Sequence, residues 1–400
     1  MPHSADRVVV IGGGVAGAST ALALQRSGID VAVFERSPEP RDPADALQIW
    51  VNGMLALDRL GLGDEIRARS EPMTTQELRS WRGRILQRVD VAGLASERGL
   101  PQPFIVRRSD LLTALTNGLD DGVLTRSSSC VGIEQDADGV TVRLADGREE
   151  RAAVAVVADG MTSEVRNAVF GRIEPRYAGY RYLSAVSEHQ DASVPPGAFQ
   201  FILGPGDRFG IHAGHRWSLW FAALVGPPGD GEAREPKKQT LKERFRRFGG
   251  AVEGFIDGTD ETAIEATDVE DLDPLERWVS GRVVLIGDAA HASTPNLGRG
   301  AGDALEDGIV LANCLADAAG DVTNALARFE QRRRENASDV QKRARRIGKL
   351  NSWKNPLAVA VRERIMRLAS GATVKEIKTD FARFAAIADD SCAPDARVAG

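Results

Sequence analysis

The chain has 400 residues, 42% of them apolar and 27% charged, which is enough for two domains or for one large domain carrying an insertion. A formal net charge of −6 gives no support to nucleic acid as a partner, and the three cysteines, Cys130, Cys314 and Cys392, are too scattered to form a Cys-x-x-Cys pair, as suits a reducing compartment. No apolar run approaches a membrane span, and strand-like sequence begins within ten residues of Met1, leaving no room for a signal peptide; a cytoplasmic chain without a membrane partner is expected.

Val8-Val9-Val10-Ile11, entered from Arg7, is a run of branched residues suited to a strand buried on both faces of a parallel sheet. Gly12, Gly14 and Gly17 follow at once, and Val15 to Ser27 reads as a helix stopped by Gly28. Gly12 permits the tight turn, Gly14 lets backbone approach a pyrophosphate, and Gly17 lets helix and sheet pack closely. The N–H groups of the first turn, at Val15 and Ala16, would receive the phosphates at the positive end of the helix dipole. Asp30 to Phe34 forms the next strand, with Glu35 and Arg36 at its tip. A carboxylate there accepts both hydroxyls of an adenosine ribose and repels a 2′-phosphate, so the pattern suits NAD or FAD and does not choose between them. A chance glycine turn is the bland alternative; strand, helix and acid standing together disfavour it.

Further along, Thr74 to Val91 reads as a hairpin turning at Trp81-Arg82-Gly83-Arg84. Ala152 to Val157 is a second buried strand and ends in Ala158-Asp159-Gly160. Strands are expected at Tyr180–Val186, Phe199–Leu203, Phe209–Ala213 and Trp217–Val225, followed by a Pro- and Gly-rich surface loop over 226–238. Val283 to Ile286 is a third buried strand and ends in Gly287-Asp288-Ala289-Ala290-His291. Pro295, Gly298, Gly300 and Gly302 lead into a helix opening near Asp303. Between Arg328 and Lys349 nine basic residues stand against three acids, which reads as solvated basic helix faces.

Together the three glycine-acid patches resemble those of the class A flavoprotein monooxygenases, the aromatic hydroxylases of the para-hydroxybenzoate hydroxylase type, over about residues 7 to 350. The resemblance implies an α/β fold: a discontinuous Rossmann-type FAD-binding domain (1–72, 95–175 and 270–340) and an inserted antiparallel-sheet substrate domain (73–94 and 176–269). C-terminal helices (341–400) would pack outside. It implies that Gly12, Gly14 and Gly17 hold the pyrophosphate and Glu35 the ribose. Arg107, and Arg41 similarly, would lie near the flavin. Asp159 would serve both FAD and the nicotinamide cofactor, and Asp288 would bind the sugar-alcohol chain. Pro295 and Gly298 to Gly302, with Ala301 among them, would form the loop under the ring. Its implied chemistry is NAD(P)H-dependent hydroxylation or epoxidation of a small electron-rich aromatic or polyketide-like compound by molecular oxygen, through a flavin C4a-hydroperoxide. FAD would be non-covalent, and NAD(P)H a transient visitor, since no second Gly-x-Gly-x-x-Gly stands in the chain.

Two stretches depart from the family pattern. Arg41-Asp42-Pro43-Ala44-Asp45-Ala46 stands where many members carry Gly-Ala-Gly, which bears on how freely the ring moves; Arg299 and Gly302 replace a common Gln and Asn. Arg208 is the first candidate for a polar substrate contact, because its segment resembles one in relatives acting on small heteroaromatics such as urate. Tyr182, His212, Trp220 and Phe221 are further candidates, although strand aromatics are more often plain core. His291 is expected to pack beside the cofactor loop in preference to acid–base work. No spacing joins His212 and His215 to other ligands, so no metal is expected. Two other readings stay open on the same fold: a reductase or dehydrogenase that inserts no oxygen, and a non-catalytic flavin-binding protein.

Overall fold

The computed structural model describes residues 7–39, 45–229, 237–318 and 320–389. At its centre is a six-stranded sheet in the order Val279–Ser280, Val283–Leu285, Val154–Val157, Val8–Ile11, Val31–Phe34 and Leu124–Thr125. Every neighbouring pair is parallel except the outermost, Val279–Ser280 against Val283–Leu285. The branched runs at 8–11, 154–157 and 283–285 are buried throughout, as strands covered on both faces must be. Helices Val15–Arg26 and Gly300–Ala316 pack against each other on this sheet.

A second sheet has seven strands in the order Glu265–Asp271, Arg176–Ser187, Ser218–Val225, Arg208–His212, Ala198–Leu203, Thr75–Ser80 and Ile85–Asp90. The expected hairpin over 74–91 supplies the last two strands. The sheet is antiparallel except that Ala198–Leu203 runs parallel to Thr75–Ser80. These two strands come from segments more than a hundred residues apart, so no turn forces them to alternate in direction.

Side chains alternate across this sheet. Leu183, Ile202, Phe209, Trp220 and Ala222 face one way, into a core closed by helices Lys237–Phe245 and Val252–Asp257. Phe209 stacks on Trp220 there at 5.3 Å. Tyr182, Phe201, Arg208 and Phe221 face the other way, toward a cavity. Gly210 lies under the Phe221 ring, and a Cβ there would sit 2.2 Å from it. That space lets Phe221 stack on Tyr182 at 5.0 Å.

The basic stretch 328–349 lies within one 30-residue helix, Val322–Asn351, and its cations are not all solvated. Arg333 is fully buried and reaches the helix Gly300–Ala316, bonding Asp307 Oδ1 at 2.8 Å, Glu306, and the Asp303 carbonyl at 3.2 Å. Arg343 pairs with Glu376 and Asp380, and Arg345 with Asp271 and Asp273. Thus the expected solvated basic face is in part a set of tertiary ion pairs. The boundary expected at 340 falls inside this continuous helix, and those at 94 and 269 fall inside Val91–Ser96 and Glu265–Asp271. Helices Pro356–Leu368 and Ser370–Asp389 follow. Among the described residues no helix is long and apolar enough to cross a membrane.

Removing Arg333 would leave Asp303, Glu306 and Asp307 buried with one cation fewer. Arg333→Met is therefore expected to cost about 3–5 kcal/mol of stability, read by urea denaturation with FAD present. A loss below about 1 kcal/mol would show that the cluster is solvated and the fold does not lean on it.

Candidate functional site

The carboxyl ends of three adjacent parallel strands converge at Gly12, Asp159 and Gly287, the position where open α/β sheets bind ligands. Gly12 has φ +105°, and a Cβ on it would lie 2.5 Å from the Ala158 carbonyl. At Gly17 a Cβ would lie 1.8 Å from the Gly12 carbonyl, so helix Val15–Arg26 can press on the turn only with glycine there. Gly14, by contrast, faces open space, and no side chain caps the helix. The first-turn N–H groups at Val15 and Ala16 therefore meet no protein acceptor from a capping residue and stand ready for an anion.

Glu35 sits beside this turn. Its Oε2 accepts the Gly13 N–H at 2.7 Å and its Oε1 accepts the Ser37 N–H at 2.7 Å. Each oxygen keeps a second lone pair for a hydroxyl donor. Arg36, next to it, is exposed. Asp159 is largely buried, its Oδ1 has no partner, and burial pushes its carboxyl up from the usual range. Arg107 lies over the Trp217 ring at 5.2 Å, with its buried Nε also unpartnered. Arg41 lies outside the described residues.

On the opposite side of the crevice, Asp288 opens the short helix Asp288–His291 with its side chain exposed. Pro295 begins a 3-10 turn that ends on Gly298 in the left-handed region at φ +62°. Gly300, Ala301 and Gly302 then form the first turn of Gly300–Ala316, a second helix start without a side-chain cap. Two uncapped helix starts, open space at Gly14 and the unpartnered Asp159 and Arg107 atoms fit a dinucleotide with a pyrophosphate and a second polar, anion-bearing portion.

Beyond this crevice lies a cavity of about 380 Å³, between the second sheet, the 296–299 loop and the three C-terminal helices. Arg208 forms part of its wall and is only 3% exposed. Its Nη2 donates to Asn296 Oδ1 at 3.1 Å and its Nη1 to Ser352 Oγ at 3.4 Å, while its guanidinium lies 4.1 Å over the Tyr180 ring. Among the described residues no carboxylate reaches it. Tyr182 also borders the cavity; burial pushes its phenol far up, so it is a hydrogen-bond donor and not a base.

Two other sequence candidates do not line the cavity. Strand alternation turns Trp220 away from it, where its Nε1 donates to Thr259 Oγ1 at 2.8 Å. His212 shares the Arg208 face but lies four residues along the strand, about 13 Å away, with Nε2 against the Pro72 carbonyl at 3.1 Å. Burial lowers its pKa to about 4, so the ring is neutral. His291 is buried on Trp278 at 5.1 Å, with Nε2 2.6 Å from Asp307 Oδ2. Burial disfavours its charge, but the Asp307 carboxylate and their hydrogen bond outweigh burial and raise its pKa.

Asn296 was not among the residues singled out in the sequence. Its Nδ2 lies 2.9 Å from Tyr180 Oη, 2.8 Å from Thr294 Oγ1 and 3.0 Å from the Ala344 carbonyl, which aims its oxygen at Arg208. Its place between Pro295 and Gly298 was the available signal. Trp50, whose Nε1 bonds the Leu297 carbonyl at 3.0 Å, carried no such signal.

The family described as "FAD binding domain" matches residues 6–344. The aurachin C monooxygenase/isomerase of Stigmatella aurantiaca is 34% identical over 364 residues, 91% of this chain and 94% of that protein. The chain belongs to this FAD-binding family of flavin-dependent aromatic monooxygenases. Among solved structures, Klebsiella pneumoniae HpxO complexed with FAD and uric acid superposes with a TM-score of 0.87 at 28% identity, covering 94% of this chain and 96% of that one. A salicylate hydroxylase substrate complex superposes with a TM-score of 0.80 at 26% identity, covering 96% and 98%. The FAD-dependent oxidoreductase thus shares the fold of relatives over nearly its whole length.

The neutral His212 of the flavoprotein makes a pH prediction. Below the ordinary value of 6.5 an unfolded histidine takes up a proton that the folded one refuses until about pH 4. Stability should therefore fall by about 2 kcal/mol between pH 7 and pH 5 through this group. In His212→Gln, which keeps a donor for Pro72, denaturation midpoints should fall less over the same interval. Equal slopes in the two proteins would refute the assignment.

Proposed function

We propose that this protein is an NAD(P)H-dependent monooxygenase that inserts one oxygen atom into a small, electron-rich aromatic carrying an acidic group. The single observation that carries the substrate class is Arg208. It is a buried cation on the cavity wall whose partners, Asn296, Ser352 and the tyrosine rings, are all neutral. A desolvated charge without a counterion is costly, and an oxyanion in the cavity would offset that cost with charge-assisted hydrogen bonds.

In this reading Gly12, Gly14, Val15, Ala16 and Gly17 hold the FAD pyrophosphate, Glu35 and Arg36 the adenosine end, and Asp159 and Asp288 the central portion. Arg107 and Arg41 flank the flavin, and Pro295 and Gly298 to Gly302 carry its ring. Bound FAD, reduced by NADH or NADPH, supplies the two electrons with which molecular oxygen gives one atom to the substrate and one to water. The remaining work belongs to the chain. The uncapped start of Gly300–Ala316 presents N–H groups and a positive dipole end that favour negative charge on its ligand. Arg208 keeps a phenolate or carboxylate ionised and fixes its place, and an ionised phenol makes the ring electron-rich. The Tyr182–Phe221 stack supplies a flat apolar wall beside Arg208.

With FAD, NADH or NADPH and 18O2, a panel of acidic aromatics that includes salicylate and urate should yield a product heavier by one labelled oxygen. NAD(P)H consumption that produces only hydrogen peroxide across the panel would instead favour a reductase. Arg208→Gln should raise the dissociation constant of an acidic aromatic by about 10- to 100-fold, equal to about 1.5–3 kcal/mol, while FAD loading is kept. Unchanged affinity would remove Arg208 from the site.

A further inference from the structure

The cavity is larger than its polar end requires. Arg208, Tyr182 and Phe221 stand beside Asn296 and Leu297 at one end. A space of about 150 Å³ suffices for one benzene ring, whereas this cavity measures about 380 Å³. The rest of the cavity, its apolar arm, is bordered by Ile347, Leu350, Ile365, Met366, Ile377 and Phe381, from all three C-terminal helices. The charged groups that border the arm are already engaged. Arg343 pairs with Glu376 at 2.6 Å and Asp380 at 3.3 Å, and Glu77 is held by Arg79 at 2.7 Å and Arg88 at 2.5 Å. Gln87 donates to the Met366 carbonyl at 2.5 Å. What the arm offers a ligand is therefore chiefly apolar contact.

The arm also reaches the surface. Ile365 borders the cavity and is 53% exposed. It belongs to the helix Pro356–Leu368, whose inner face carries Val359 and Met366. On the outer face Leu357, Val361 and Leu368 are 79%, 53% and 72% exposed. Their spacing of four, four and three residues, counting Ile365, puts them on one stripe. With Trp353, this stripe holds five of the seven large hydrophobic side chains exposed among the described residues. Scattered exposed apolar residues need no explanation, but a concentration beside a cavity mouth marks a binding surface.

We propose that the substrate is an amphiphile. Its acidic aromatic head sits at Arg208, and a flexible apolar substituent of several carbons fills the arm and emerges beside Ile365 along the Leu357–Leu368 stripe. This rests on the reading of Arg208 as the anchor of an oxyanion. The site then discriminates by length: each methylene within the arm leaves water, worth about 0.8 kcal/mol or a three- to fourfold gain in affinity.

The test uses the FAD-loaded protein and follows the flavin absorption spectrum as salicylate, 6-butylsalicylate and 6-octylsalicylate are titrated, so it does not depend on turnover. Dissociation constants should fall at least tenfold from salicylate to the butyl compound and further to the octyl. Ala369→Phe, which fills the arm, should bring the octyl compound back toward salicylate; Thr373→Phe, which fills the same arm one turn along, serves if that variant fails to load FAD. Arg208→Gln should weaken all three ligands by a similar factor. Affinities that do not depend on length, or a length dependence that survives both arm-filling variants, overturn the proposal, as does a failure of all three to bind. A length dependence abolished by Ala369→Phe but indifferent to Arg208→Gln would leave the apolar arm in place and sink the reading of the head group instead.

Discussion

Asp307 is the group on which the rest of the structure depends. It is fully buried on the helix Gly300–Ala316, and its two oxygens take three partners from two other parts of the chain, the 287–291 segment and the helix Val322–Asn351. Oδ2 accepts the Gly287 N–H at 2.9 Å and meets His291 Nε2 at 2.6 Å; Oδ1 accepts Arg333 Nε at 2.8 Å. Gly287 ends the strand Val283–Leu285 with φ +55°, a conformation that favours glycine. One carboxylate thus clamps a strand tip, the helix whose first turn follows Gly298, and the long helix behind both. The loop expected under the flavin ring, Pro295 to Gly302, lies between segments that this clamp holds in register, which explains why so polar a cluster is kept in an otherwise apolar helix.

The cluster is balanced with little surplus. Arg299 bonds Asp303 Oδ1 at 2.5 Å, Arg333 bonds Glu306 and Asp307, and Asn52 donates to Asp303 at 3.1 Å and Glu306 at 2.9 Å. Desolvation still lowers the Arg333 pKa to about 10, and it leaves the cation fully charged at neutral pH. Within this network only Asn52 Oδ1 and Arg299 Nε are buried without a partner, so most of the desolvation cost is answered internally. The network also fixes the start of Gly300–Ala316 without using the N–H groups of its first turn, because its bonds to that helix go to the carboxylates of Asp303, Glu306 and Asp307 and to the Asp303 carbonyl.

How much of this was legible in the sequence follows from where each signal lives. The turn at Gly12–Gly17 and the acids at Glu35, Asp159 and Asp288 are local: strand, glycine and carboxylate occur within a few residues, and close packing alone demands the glycines at 12 and 17. Six of the seven strands of the second sheet were legible for the same reason, and Glu265–Asp271 was not. The facing of side chains is written in the sequence too, through strand alternation. Trp220 and Phe221 are adjacent on one strand and cannot both face a cavity; alternation alone would have removed one. Other features were hidden because they depend on partners distant in sequence. Nothing local marks Arg333 as buried among eight other basic residues, since its burial is decided by acids 26 to 30 positions earlier. The parallel pairing of Ala198–Leu203 with Thr75–Ser80, and the role of Asn296 in aiming at Arg208, belong to the same class.

Three arginines border the cavity; Arg343 is paired with Glu376 and Asp380, and the contrast between the other two is what motivates the proposal of an anionic ligand. Arg299 is buried but bonded to Asp303, lies 3.9 Å from Asp380 and rests 4.5 Å over the Phe384 ring, so its charge is answered by the protein. Arg208 is equally buried and is given two neutral acceptors and two tyrosine faces. Neutral hydrogen bonds orient a guanidinium but do not cancel its field in a medium of low polarisability. A neutral substrate would leave that field unanswered, and a cationic one would raise the cost further. On the proposed reading, a ligand that brings its own negative charge completes the arrangement, and discrimination between acidic and neutral aromatics would then be set by a partner the fold withholds from Arg208 and grants to Arg299.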